Sequence, residues 1–268
     1  MASFEPVTAV IRALTVLRIV NDLDYASIKQ IHKLSKLHRS TVLRMLETLM
    51  HEGYVTRDEE SGMYRPTGKT LLLSRGFDEK RQLSELASPT MLGLREQIGW
   101  PSDLAILDGH EMMIVETSRE YNIMAINHRA GVRAPLLLTS LGRAYLAFCT
   151  PEKREKLLAA LAASNRSVNA LARNDPAGVR RMLDEVREKG YAVPDPDFNS
   201  SNSSGAGLIT GFSVPVFRSG EVFASLSTSF LISAMPLENG VEALLPALQQ
   251  TAETLSDLIT RNYGGSRP

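Results

Sequence analysis

Ser35-Lys36-Leu37-His38-Arg39-Ser40-Thr41-Val42-Leu43-Arg44-Met45-Leu46-Glu47-Thr48-Leu49, with Glu52-Gly53-Tyr54-Val55 close behind, is the stretch whose pattern decides the N-terminal fold. Val42, Met45, Leu46 and Leu49 recur at helical spacing and predict a buried stripe that Gly53 terminates. On the other side fall Ser40, Thr41, Arg44, Glu47 and Thr48, a mostly short and polar set with one arginine. Short side chains let a helix approach the DNA major groove, hydroxyls can bond phosphates or bases, and arginine can pair with guanine through two hydrogen bonds.

Two helices are expected upstream. Val7, Val10, Ile11, Leu14 and Leu17 form an apolar stripe that ends near Asn21-Asp22. Ser27 followed by Gln30 is a capping box opening a short helix whose inward face would be Ile28, Ile31 and Leu34. Downstream, Tyr54-Val55-Thr56-Arg57 and Met63-Tyr64-Arg65 read as a hairpin around Asp58-Glu59-Glu60-Ser61-Gly62. Helix, helix, turn, helix and hairpin make a winged helix-turn-helix. From Lys29 to Leu46 the chain carries Lys29, Lys33, Lys36, Arg39 and Arg44 with no acidic residue, a distribution suited to phosphate contact; the alternative is a solvated helix face. Lys36, Arg39, Ser40, Thr41, Arg44 and Thr48 are therefore candidate DNA contacts. Arg57 and Arg65 flank the wing as further candidates, against the alternative of a plain surface hairpin.

At 268 residues the chain suits two domains of roughly 100–200 residues each. Its 43% hydrophobic and 22% charged residues are ordinary globular usage. No apolar run approaches the roughly 20 residues needed to cross a bilayer, and the N-terminus lacks a basic region before an apolar stretch, so a cytosolic protein without membrane contact is expected. Thirty basic and thirty acidic residues cancel, which disfavours a nonspecific DNA-architectural role. Cys149 is the sole cysteine and sits in an apolar helix pattern, which excludes a disulfide framework and reads as core.

The quoted recognition stretch resembles the DNA-binding signature of the IclR family of bacterial regulators, and the resemblance continues in order down the chain. It passes through Ala134-Pro135-Leu136 with Thr139-Ser140-Leu141-Gly142-Arg143-Ala144, then Glu188-Lys189-Gly190-Tyr191, then Ser213-Val214-Pro215-Val216-Phe217 to Ala224-Ser225-Leu226-Ser227-Thr228-Ser229. The expected fold class is α+β: a winged helix-turn-helix over 1–78, a linker helix over 79–99 and a GAF-like effector domain with an antiparallel sheet over 100–268. Leu83, Leu86, Met91, Leu94 and Ile98 carry the linker pattern, which Pro89 would kink or restart with Ser88 as its cap. Strands are expected at 104–107 and 112–115 around an Asp108-Gly109 turn, at 123–126, 208–217 and 221–229, and helices at 141–148, 151–163, 176–189 and 237–261.

In this family the effector is held by the loop that opens a helix and by the last sheet strands. By position, that resemblance implies Ala134, Ser140 and Leu141 on the loop and helix start, with backbone N–H groups at a helix N-terminus suited to a carboxylate. It also implies Gly211, Ser227 and Ser229 on the strands, the two serines sharing one face; the alternative for them is an exposed sheet face. An acidic position after Gly190-Tyr191 maps to Asp195 or Asp197. Arg129, after His128, is a candidate partner for a carboxylate or else a surface residue. Trp100-Pro101-Ser102-Asp103 and Leu146-Ala147-Phe148-Cys149 look most like the subgroup that governs aromatic-acid catabolism, so the implied effector is a small organic acid of the aromatic class. The Ser/Asn/Gly-rich loop 195–207 departs from the family pattern.

No G-x-S-x-G, Walker, H-E-x-x-H or paired-cysteine motif occurs, and Gly205-Ala206-Gly207 is an isolated G-x-G in a polar loop. No catalytic group, metal ligand set or cofactor is therefore expected. The expectation is an effector-responsive activator that binds a double-stranded operator as a homodimer or tetramer and meets RNA polymerase there. The competing reading is a small-molecule-processing enzyme whose N-terminal helices serve assembly.

Overall fold

The computed structural model describes residues 5–119, 130–201 and 209–263. The strand expected at 123–126, His128, Arg129 and Gly205-Ala206-Gly207 lie outside the described residues. The chain divides into two compact units, Met1–Asp78 and Glu79–Pro268.

The first unit holds α1 (Thr8–Leu23), α2 (Ile28–Ser35), α3 (Arg39–His51), β1 (Val55–Arg57) and β2 (Tyr64–Pro66). Val16, Leu17, Ile19 and Val20 of α1 pack with Ile31, Val42, Leu46, Leu49, Val55 and Tyr64. Each such aliphatic side chain contributes about 1.5–3 kcal/mol when fully buried. Ser27 and Gln30 form the expected reciprocal capping box at the start of α2. Lys36 closes α2 in the left-handed region (φ 55°), its N–H donating to the His32 carbonyl. Gly53 turns the chain out of α3 at φ +72°, and an antiparallel hairpin pairs Thr56 with Arg65. Tyr64 exchanges backbone hydrogen bonds with Ala26, which ties the wing to the α1–α2 turn.

Two sequence expectations are corrected here. The stripe Val7, Val10, Ile11 and Leu14 is 53–61% exposed, because α1 turns the residues around Val16 and Val20 inward. In α2 only Ile31 is fully buried, and Leu34 faces solvent.

The second unit follows a 3-10 stretch (Gly68–Phe77) and begins with α4 (Asp78–Ile98). Then come β3 (Ser102–Asp108), β4 (Glu111–Thr117), β5 (Arg133–Pro135), α5 (Ser140–Phe148), α6 (Pro151–Ala163), α7 (Ala170–Asn174), α8 (Pro176–Lys189), α9 (Pro196–Ser201), β6 (Ile209–Arg218), β7 (Glu221–Leu231) and α10 (Leu237–Tyr263). The five strands form one sheet in the order β5-β4-β3-β7-β6, with every pairing antiparallel. One sheet face is covered by α4 and α10, through Leu83, Ala87, Met91 and Leu94 against Leu104, Phe212, Leu226 and Leu248. The other is covered by α5, with α8 packed against α5, in one cluster that joins Leu141, Tyr145, Leu158 and Leu183 to Ala105, Met112 and Ile114.

The expected linker helix is thus built into the second unit's core. Pro89 neither ends nor restarts it, since α4 runs continuously through that position. The short edge strand β5, only three residues long, left no periodic signal to read. Gly142 is required where α5 crosses the preceding loop: a Cβ there would lie 2.3 Å from both the Leu136 Cα and its carbonyl oxygen.

Candidate functional site

On the first unit, α3 presents Arg39, Ser40, Arg44, Glu47 and Thr48 as exposed side chains, with Thr41 half-buried. The period of the helix dictates this, since Val42, Leu46 and Leu49 are held in the core. His38 precedes the helix without a side-chain cap, which leaves the first-turn N–H groups and the positive end of the helix dipole toward solvent. Ser40 Oγ lies 2.8 Å from His38 Nδ1, and Thr48 Oγ1 donates back to the Arg44 carbonyl at 2.9 Å. A groove of about 610 Å³ opens between the α2 start, the α3 start and the wing tip, lined by Ser27, Lys29, Arg39, Ser40, Leu43 and Gly62 among others. Lys36 is exposed at the turn between α2 and α3.

The wing arginines are placed by aromatic neighbours. Arg57 lies 5.8 Å over the Tyr64 ring and its Nε donates to the Gly62 carbonyl, while Arg65 donates to the Tyr25 hydroxyl at 3.5 Å. At the wing tip, Ser61 donates its backbone N–H and its hydroxyl to Asp58, which holds that carboxyl below its ordinary range.

The second unit holds a polar row inside its apolar core. Strand register puts Thr117 of β4 opposite Asp103 of β3, Asp103 opposite Ser227 of β7, and Ser227 opposite Ser213 of β6. The row faces α5, because Ser213 Oγ donates to Ser140 Oγ at 2.7 Å at the start of that helix. Asp103, Ser213 and Ser227 are at most 4% exposed. Thr139 caps α5 by accepting from the Gly142 N–H, so Ser140 and Leu141 occupy the first turn, before the intrahelical ladder begins. Arg119 reaches Asp103 from beyond β4, with Nη2 at 3.0 Å from one carboxylate oxygen and Nε at 3.3 Å from the other.

Of the residues expected at the effector site, Ser140, Ser213's neighbour Ser227, and the first turn at Leu141 come together around this row. Ser229 lies two residues along the same strand, half-buried, its N–H donating to the Pro101 carbonyl at 3.2 Å. Ser227 is buried, which removes the exposed-face alternative for it, and its Oγ donates to the Asp103 carbonyl at 3.4 Å.

Gly211 has a packing reason instead of a cavity one: a Cβ there would lie 2.1 Å from the Thr228 carbonyl oxygen. Ala134 is separated from the row. It pairs with Met112, whereas the row passes through Thr117, five residues or about 17 Å further along β4 at the usual strand rise. Asp195 is engaged by Arg143, whose Nη2 donates to it at 2.6 Å while Nε and Nη1 bind the Leu137 and Val193 carbonyls. Its other oxygen accepts the Asp197 N–H, so Asp195 joins α5 to the α9 segment. Burial lowers the Arg143 pKa, and Asp195 opposes that effect. Sequence reasoning passed over Ser213 and Asp103, whose only signal was polar residues inside otherwise apolar strands, and Arg119, which follows β4 and carried no signal.

Among the described residues no group of His, Cys, Asp and Glu is placed to hold a metal ion, and no helix is long and apolar enough to cross a membrane. A winged helix with an exposed polar recognition face, followed by a domain with a polar row in its core, defines a DNA-binding transcriptional regulator.

Comparison with known proteins gives the family. Residues 9–59 match the IclR helix-turn-helix domain, and residues 78–257 match the bacterial transcriptional regulator IclR C-terminal domain. The chain belongs to the IclR family. It is 28% identical over 230 residues to the HTH-type transcriptional regulator XynR of Escherichia coli, covering 85% of this chain and 87% of that protein. It is 24% identical over 236 residues to the transcriptional repressor IclR of the same organism, covering 86% and 80%. Among solved structures, the Thermotoga maritima IclR superposes with a TM-score of 0.67 at 21% identity, covering 94% of this chain and 98% of that one. An IclR homologue from Microbacterium hydrocarbonoxydans complexed with 4-hydroxybenzoate superposes with a TM-score of 0.65 at 23% identity, covering 95% and 100%. The protein is a transcriptional regulator and not an enzyme, as its named relatives are.

Proposed function

We propose that the protein activates a catabolic operon in response to a small carboxylic acid, of the aromatic class, bound against the α5-facing side of the sheet. The observation that carries this reading is the buried row Asp103, Ser227 and Ser213 closed by Ser140 of α5. These groups are paired within the protein, as polar groups taken from water must be, and they offer a ligand a ready set of donors and acceptors beside the α5 start. The first turn of α5 adds N–H donors that meet a polar group of the ligand at the Ser213 end of the row. The 4-hydroxybenzoate complex of a homologue with this fold supports the aromatic class.

DNA reading is assigned to residues 1–78, coupling to 79–99 and sensing to 100–268 of the cytosolic protein. The effector binds one conformation better than another, and the difference in those affinities is what shifts operator binding and, through it, access for RNA polymerase. Dimerisation uses the exposed apolar stripe Val7, Val10, Ile11 and Leu14 of α1, and a tetramer would pair such dimers.

The test is a thermal-shift series on the purified full chain with hydroxylated aromatic acids and short aliphatic acids, since a ligand bound only by the native state raises Tm. Stabilisation by an aromatic acid, reduced in Ser140→Ala with Ser227→Ala, is the expected result. Stabilisation by aliphatic acids alone removes the aromatic class, and no response to any acid removes the sensing role.

A further inference from the structure

Among the described residues, Arg119 is a charged donor at the polar row whose hydrogen-bonding capacity is left incomplete. Its side chain is only 8% exposed, and it meets Asp103, itself 1% exposed, along the Nε and Nη2 edge. Nη1 is buried and makes no hydrogen bond to any described residue. A guanidinium carries five N–H donors and stays protonated at all accessible pH, so a buried nitrogen of this kind is an open donor site and not a neutral one. Leaving such a donor unmatched is destabilising, which is why buried polar atoms of native proteins are nearly always paired.

The surroundings hold the group in place. Thr117 Oγ1 donates to Asp103 at 2.6 Å and accepts from the Arg119 N–H at 3.3 Å. Ser118, next in the chain, is fixed by a backbone bond to the Ser102 carbonyl and by its hydroxyl accepting from the Ser102 N–H. Arg95 of α4 donates to the Ser118 carbonyl at 2.6 Å. The guanidinium is therefore preorganised at the Asp103 end of the hydroxyl row, with its charge balanced by one carboxylate and one nitrogen still to be satisfied.

We propose that Arg119 is the anchor for the effector's carboxylate, one oxygen of which accepts a hydrogen bond from Nη1. The inference rests on the effector-site reading above. Carboxylate is the chemistry that fits, because charge-assisted bonds from arginine to a carboxylate are shorter and stronger than those to a neutral acceptor. Asp103 is then a positioning residue: it holds the opposite edge of the guanidinium and keeps the site neutral before the ligand arrives. This is the role that the sequence reading offered for Arg129, which lies outside the described residues.

Isothermal titration of the full chain with 4-hydroxybenzoate, 3-(3-hydroxyphenyl)propionate and pyruvate, each beside its neutral amide, tests this. Wild type is expected to bind one acid at least about tenfold more tightly than the matching amide, the discrimination of one charge-assisted contact. Asp103→Asn with Arg119→Met removes both buried charges together, avoiding an unpaired one, and is expected to abolish that preference. Arg119→Lys keeps the charge but not the planar fork, and is expected to weaken acid binding about tenfold or more. Acid binding and preference unchanged in both variants would overturn the anchor while leaving the effector site standing. Equal binding of acid and amide by wild type would do the same. Failure of every compound to bind wild type would overturn the effector site and the anchor with it.

Discussion

Arg44 stands exposed in the middle of the recognition face, its position set by the burial of Val42, Leu46 and Leu49 on the same helix. Arg44→Ala is expected to cost about 1–3 kcal/mol of operator binding, the worth of a good bidentate base contact. Fluorescence anisotropy with labelled operator measures it, and unaltered affinity would remove Arg44 from the interface. Effector titration should be unaffected in the same variant. Cys149 makes a second prediction at this scale. It is 2% exposed, its thiol donates to the Leu146 carbonyl, and burial raises its pKa, so the reactive thiolate is disfavoured. A thiol-specific chromogenic reagent should leave it unmodified in the native protein near neutral pH and react on unfolding; rapid native labelling would contradict the packing described. The recognition residues were legible because a helix's two faces are determined by local spacing. Arg119 and Asp103 were not, because their meeting depends on residues sixteen apart being brought side by side by strand pairing.

At the level of elements, α5 links the core to the polar row. Gly142 lets it lie against the backbone of Leu136, and Arg143 ties it to Leu137, Val193 and Asp195. Gly142→Ala forces a Cβ into backbone that cannot swing aside, so α5 must shift, at a cost of about 1–3 kcal/mol. The melting temperature should fall, and carboxylate binding should weaken because Ser140 moves with the helix; an unchanged melt would show that α5 has room the structure does not give it. The capping box, α3, α5, α6, α8 and α10 were readable from periodicity and caps, whereas the short α7 and α9 were not. The helix α4 was read as an amphipathic element that Pro89 would kink or restart, and the structure removes the restart, since a proline's effect depends on what packs around the opened turn. The α1 stripe shows the reverse case: its period indicated a helix, but the choice of buried face was made by the residues near Val16 and Val20.

For the whole molecule, the formal charge is zero, so attraction to DNA is expected from the local distribution around Lys29, Lys33, Lys36, Arg39 and Arg44. Operator affinity should fall steeply with salt, with a log–log slope near −0.9 per phosphate neutralised, while random duplex of equal length binds far more weakly. A salt-insensitive association would reject phosphate contact by this face. Ile11→Asp, placed on a side chain 53% exposed in one chain, should leave the fold intact but shift sedimentation toward monomer and weaken operator binding. An unaltered assembly would move the dimer contact away from α1.

The sequence by itself determined the winged helix-turn-helix, the class of regulator, the strands β3, β4, β6 and β7 and the limits of the longer helices, because caps, turns and hydrophobic period act over a few neighbouring residues. Tertiary structure alone decided the strand order, the exposed face of α1, the engagement of Asp195 with Arg143, and the row that joins Thr117, Asp103, Ser227 and Ser213 under Ser140. Those depend on register between distant segments, where a single-residue slip would turn each side chain to the opposite face of the sheet.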